Sequence, residues 1–205
     1  MKFIVITSPC PMPDEAQRIK ELFDCGIDML HLRKPGSAVE DCARLLDSLP
    51  DKYLRRIVVH DHFQLCLDYD LAGVHLNRRN PSVPPFVAAD PDRYTVSASC
   101  HSIAEAAEKK ADAAYIFLSP IFDSISKQGY RSSYCSEELG KAAGNGILDS
   151  RVIALGGITL GHIPMLRRWH FGGAAFLGDV WKRAGHDEFI VNARLLSCAL
   201  HENKG

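Results

Sequence analysis

Strand-length apolar runs alternate with helix-patterned segments from one end of this chain to the other. That alternation leaves few folds open, because it is the signature of parallel βαβ units. The run Val152-Ile153-Ala154-Leu155 shows the type most clearly. It is apolar on both faces, β-branched at its start, and ends at Gly156-Gly157 before Ile158-Thr159 opens a helical pattern. Buried parallel strands read this way, and the glycine pair marks a turn that brings backbone close to whatever lies above the strand end. With a helix start just behind it, this turn is a candidate half of a phosphate cup. A tight strand-to-helix turn with no ligand is the alternative.

Strands are expected at 3–7, 28–33, 56–60, 73–76, 95–99, 113–119, 152–155 and 172–177. The segment 14–24 reads as a helix with Ala16, Ile19, Leu22 and Phe23 on one face, ended by Gly26. Ser37-Ala38-Val39-Glu40 and Ser102-Ile103-Ala104-Glu105 read as capping boxes that start helices. Further helical stretches are expected at 63–67, 136–143, 160–169 and 186–201. Residues 77–93, with four prolines, read as a loop with at most a brief helix, and 120–134 as a loop. Eight strands with their helical links close as a single-domain α/β (β/α)8 TIM barrel spanning residues 1–205. An open doubly wound sheet, which ordinarily has fewer strands, is the alternative.

The 205 residues are 46% hydrophobic and 24% charged, with a formal net charge of -1, which suits one globular domain. No basic run or aromatic–basic stripe points to nucleic acid, and no apolar run is long enough for a membrane span. The start of the chain lacks the apolar length of a signal peptide. Seven cysteines without a C-x-x-C pair suggest a reducing, cytoplasmic setting. Cys25, Cys42, Cys66 and Cys198 read as small buried hydrophobes on helix faces. Nine histidines leave zinc open, but no ligand spacing supports it.

In a barrel of this kind, sites sit at the carboxyl ends of the strands. Polar residues gather there. His31, Arg33 and Lys34 follow the second strand, and His60 and Asp61 the third. His75 and Asn77 belong to the fourth, and Ser99 and His101 to the fifth. Ser119, Ser124, Ser126 and Lys127 follow the sixth, and Gly178 the eighth. Arg33 can grip an oxyanion bidentately, or form an exposed ion pair instead. Asp61 can hold magnesium or cap the next helix. His75, inside an apolar strand, reads as a core residue. His101 suits proton transfer near neutral pH.

These residues together resemble the thiamine-phosphate synthase/TenI family over about 4–200. The resemblance rests on His31-Leu32-Arg33-Lys34, His60-Asp61, Gly73-Val74-His75-Leu76, Ser99-Cys100-His101, Ser119-Pro120-Ile121-Phe122, Ser124-Ile125-Ser126-Lys127 and Ala154-Leu155-Gly156-Gly157-Ile158. It implies a (β/α)8 barrel and one of two activities. A synthase joins a hydroxymethylpyrimidine diphosphate to a thiazole phosphate with magnesium. A TenI-type enzyme isomerises a thiazole carboxylate phosphate to its aromatic tautomer, with no cofactor and with a histidine at the position of His101 shuttling the proton. The resemblance further implies that Gly156, Gly157 and Gly178 hold the thiazole phosphate. Arg33, Lys127 and Ser99 would face the diphosphate, Ser124 and Ser126 would touch substrate, and Asp61 would bind magnesium. His31, Lys34 and His60 complete the expected substrate contacts, and His101 and Lys127 the catalytic pair.

The departures fall on the diphosphate side. The synthase pattern Gln-Leu-Arg-x-Lys is here His31-Leu32-Arg33-Lys34-Pro35, which moves the lysine. The usual Asn-Asp is His60-Asp61. Asn77-Arg78-Arg79-Asn80 replaces the Gly-Gln-Asp ending that brings a second magnesium carboxylate. The favoured expectation is therefore a TenI-type tautomerase, with the synthase as alternative and a non-catalytic phosphate binder as a third reading. Phosphorylated thiazole, and pyrimidine diphosphate for a synthase, are the expected partners, and a homo-oligomer is left open.

Overall fold

Each expected run forms a strand, and the eight strands hydrogen-bond in sequence order into a closed parallel barrel. The strands are β1 (Lys2–Ile6), β2 (Met29–Leu32), β3 (Ile57–Val59), β4 (Gly73–Leu76), β5 (Thr95–Cys100), β6 (Tyr115–Leu118), β7 (Val152–Leu155) and β8 (Gly173–Phe176). The computed structural model describes residues 1–123 and 134–202. The seam closes where β1 pairs β8, from Lys2 opposite Gly173 to Val5 opposite Phe176. The helices are α1 (Glu15–Asp24), α2 (Val39–Asp47), α3 (Asp51–Leu54), α4 (Gln64–Asp68), α5 (Pro85–Ala89), α6 (Ile103–Lys109), α7 (Ser136–Gly144), α8 (Ile163–Arg168), α9 (Gly178–Trp181) and α10 (Glu188–His201).

Alternation along each strand divides burial between two compartments. Phe3, Val5, Leu30, Leu32, Val59, Val74 and Ile116 face out and pack beneath the helices in one large core. Ile4, Ile6, Tyr115, Phe117, Ile153 and Ala175 form a second, smaller cluster inside the barrel. The inside is not apolar all round. His31, His75 and Ser97 are fully buried, on β2, β4 and β5. The buried polar side chains thus gather on the β2–β5 side of the interior, and the side from β6 round to β1 is mainly apolar.

Several local expectations shift. The box at Ser37 does not form: α2 starts at Val39, with Ala38 at its N-cap and no side-chain cap. Ser102 does cap α6, accepting from the Glu105 N–H at 3.0 Å, but the Glu105 carboxylate reaches the His101 N–H rather than Ser102. The stretch 160–169 is a 3-10 turn (Leu160–His162) followed by α8, with Pro164 in the first turn where a missing N–H costs little. Cys198 is exposed rather than buried, because α10 turns that face to solvent. Among the described residues, no helix is long and apolar enough to cross a membrane.

Lys34 and Glu15 tie the β2 end to α1. Lys34 Nζ donates to both carboxylate oxygens at 2.6 Å and to the Cys10 carbonyl at 3.2 Å, and both side chains are buried. Removing one partner strands a buried charge, whereas replacing both with apolar groups does not. Glu15→Ala is therefore expected to cost about 3–5 kcal/mol in urea unfolding. The double variant Glu15→Leu/Lys34→Met should recover most of that loss.

Candidate active site at the barrel mouth

The carboxyl ends of the strands open onto a cavity of about 570 Å3. Arg33, His60, Ser99 and His101 line it, with Ser119 and the apolar side chains of Ile6, Phe117, Leu155 and Leu177. Four expected site residues from three strand ends thus meet in one place. Arg78 and Arg79 also line it. They stand in the loop after β4, where Asn77-Arg78-Arg79-Asn80 departs from the synthase pattern and no local signal marks them as site residues. Gly156 and Gly178 each follow a lining leucine by one residue.

The Arg33 backbone is clamped by Thr7. Its N–H donates to Thr7 Oγ1 at 2.9 Å, and that hydroxyl donates to the Arg33 carbonyl at 3.1 Å. Partial burial, and then the charge of Arg79, lower the Arg33 pKa, but a guanidinium stays protonated at any ordinary pH. Lys34 does not line the cavity, being committed to Glu15. Ser124, Ser126 and Lys127 lie outside the described residues.

Asp61 does not cap a helix, since Phe63 is the N-cap of α4. Arg79 Nη2 lies 3.1 Å from both Asp61 oxygens, and Asn80 Nδ2 donates to Oδ1 at 3.0 Å. The turn 77–80 aims these groups: Asn77 Oδ1 accepts from the Arg79 N–H at 2.9 Å. Magnesium needs oxygen ligands, carboxylates above all. Here the one expected carboxylate is taken by a guanidinium, and no carboxylate lines the cavity among the described residues. As they stand, these residues do not fit a magnesium ion.

His101 is exposed at the rim, 3.1 Å through Nδ1 from the Ser119 carbonyl. A carbonyl only accepts, so Nδ1 carries a proton, and in the neutral ring Nε2 is the nitrogen with the lone pair. The two turn glycines have a packing reason of their own. Gly156 and Gly157 have φ of 98° and 66°, and a Cβ on Gly157 would lie 2.2 Å from the Asp123 carbonyl oxygen. The β6 loop presses on this turn, with Ile121 N–H bonded to Leu155 O and Phe122 N–H to Gly156 O. Gly178 opens α9, so its N–H has no acceptor within the helix.

Beneath the mouth lies a hydrogen-bonded imidazole cluster. His31 Nδ1 is 2.9 Å from His60 Nε2, and His31 Nε2 is 2.7 Å from the Tyr115 hydroxyl. His75 bridges Ser97 and Ser99, at 2.8 Å from each. His60 and His75 stack with ring centroids 4.1 Å apart. Burial above all holds all three well below the usual imidazole pKa, His75 down to about 3, and the charge of Arg33 adds to the effect at His60 and His75.

A family model described as thiamine monophosphate synthase matches residues 2–180. The chain belongs to the thiamine-phosphate synthase/TenI family. It is 26% identical over 174 residues to a thiamine-phosphate synthase of Serratia proteamaculans, covering 83% of this chain and 82% of the relative. It is 25% identical over 193 residues to one from Escherichia coli O1:K1, covering 92% and 90%. The solved thiamine phosphate pyrophosphorylase of Bacteroides thetaiotaomicron superposes with a TM-score of 0.86 at 40% identity, over 97% of each chain. That of Pyrococcus furiosus, at 22% identity and a TM-score of 0.76, shares the fold. The thiamine-phosphate synthase/TenI family serves thiamine biosynthesis, and this chain is an enzyme of that family.

The neutral histidines make stability depend on pH. Unfolded, each imidazole titrates near 6.5; folded, it titrates far lower. The unfolded chain therefore binds more protons as pH falls below about 6.5, so stability is full above that pH and declines beneath it. Urea unfolding of the parent should weaken between about pH 6.5 and 5, before the carboxylates titrate. In His31→Gln/His60→Asn the slope should be shallower by up to about 2.7 kcal/mol per pH unit, two protons' worth.

Proposed function

We propose that the protein is a TenI-type tautomerase that converts a phosphorylated thiazole carboxylate to its aromatic tautomer. The Arg79–Asp61 pair carries this reading. A synthase needs magnesium to neutralise a departing diphosphate, and here a guanidinium occupies the carboxylate expected to hold that ion. A tautomerisation needs no leaving group and no metal, only a base that removes a proton from one atom of the heterocycle and returns it to another.

His101 fits that role by geometry. Nε2 takes the proton; the Nδ1–H bond to the Ser119 carbonyl holds the ring and stabilises the imidazolium; Nε2 then gives the proton back. Arg33 and Arg78 supply positive charge for the carboxylate. Gly156, Gly157 and Gly178 are proposed to take the phosphate through backbone N–H groups, with Ser99 lining the ring pocket. Ser124, Ser126 and Lys127 are proposed as contacts from the loop. Residues 1–205 act in this reading as one cytoplasmic catalytic domain.

The synthase is the second reading. What favours it is that the relatives named above, the 40% identical Bacteroides protein included, carry a synthase or pyrophosphorylase name.

Two assays separate the readings. With the non-aromatic thiazole carboxylate, the ultraviolet change should proceed at full rate in excess EDTA, and His101→Asn should lower kcat by about 10²–10⁴-fold with KM little changed. With pyrimidine diphosphate, thiazole phosphate and magnesium, thiamine phosphate should not accumulate. Efficient magnesium-dependent coupling, or no isomerisation, overturns the tautomerase.

A further inference from the structure

The ring nitrogens of His31, His60 and His75 include one from each residue that all lie within 4.8 Å of one another. His31 is on β2 and His75 on β4, with His60 just past β3 between them. We propose that these three histidines form a binding site for one zinc-class transition-metal ion inside the barrel, entered from the mouth.

Ligand type comes first. The cluster offers imidazole nitrogen alone, which suits zinc, cobalt, nickel or copper rather than magnesium. The residues are 0–4% exposed, so the site is enclosed within the barrel, and imidazole binds metal as the neutral ring. Spacing comes second. His31 Nδ1 and His60 Nε2 are 2.9 Å apart. Two nitrogens on a tetrahedral zinc, at bonds of about 2.0–2.1 Å, sit about 3.3 Å apart. The ion therefore needs a small opening, in which it replaces the proton these two nitrogens share.

Outer partners come third. Two of the three rings have one: Tyr115 Oη can accept from His31 Nε2–H and Ser97 Oγ from His75 Nδ1–H, so that the other nitrogen of each faces the ion. The third ring must move: on loading, His75 swings off Ser99 and out of its stack on His60. His60 and Ser99 both line the mouth, so the ion has a way in and a fourth position facing the cavity.

The test uses the full chain, stripped with chelator, dialysed and titrated with Zn2+ and with Co2+, without substrate. It therefore does not depend on the tautomerase reading. One equivalent should bind per chain, Zn2+ should raise the Tm, and Co2+ should give the visible absorption of a four-coordinate site made of three nitrogens and one solvent oxygen. His31→Gln/His60→Asn, checked for folding by circular dichroism and for its own Tm, should lose the stoichiometric uptake. His170→Asn, on an exposed loop histidine, should keep it. Failure of the parent to take up one equivalent, or unchanged binding by the double variant, overturns the proposal and leaves the trio as a hydrogen-bonded core network.

Discussion

Closure of the barrel at the β1–β8 seam is the constraint on which the rest depends. Parallel strands must all run the same way round the closed sheet, so every carboxyl end opens on one rim. The seam requires backbone to approach backbone. A Cβ on Gly173 would lie 2.5 Å from the Lys2 carbonyl oxygen, and beside the seam, where β8 meets the start of β7, one on Gly172 would lie 1.9 Å from the Ser150 carbonyl oxygen. These glycines let the sheet close, and closure completes the rim on which Arg33 and His101 stand.

The interior carries a second consequence of closure. Its apolar half, built on Ile4, Phe117 and Ile153, gives the packing that holds the barrel. Its polar half buries imidazoles that must be neutral and bonded, since burying a charge or leaving a polar atom unpaired costs more than the packing returns. Tyr115, Ser97 and Ser99 supply those bonds. The mouth inherits this asymmetry, with apolar Leu155 and Leu177 on one side and His60 and Ser99 on the other.

At the rim, ion pairing decides which charges are left for a ligand. Glu15 removes Lys34 from the cavity, and Arg79 satisfies Asp61. Arg33 and Arg78 remain, so the mouth favours an anion by charge alone. The glycine turn after β7 serves two masters: close approach of the β6 loop already demands Gly156 and Gly157, whether or not a phosphate rests there.

The order of elements was legible in the sequence because burial on both faces of a parallel strand leaves a continuous apolar run, and runs such as 152–155 need only local residues to be read. The rim positions of Arg33, Ser99 and His101 followed from the same logic, since a strand end is a local feature. Three things were decided only by tertiary structure. Lys34 turned from the cavity to Glu15, nineteen residues back on α1. Arg79 closed on Asp61 across two strand ends. His31, His60 and His75, spread through the chain with no ligand spacing, came together because neighbouring strands lie about 4.8 Å apart. Charge partners and ligand clusters are set by which strands become neighbours, and pattern along the chain does not encode that distance.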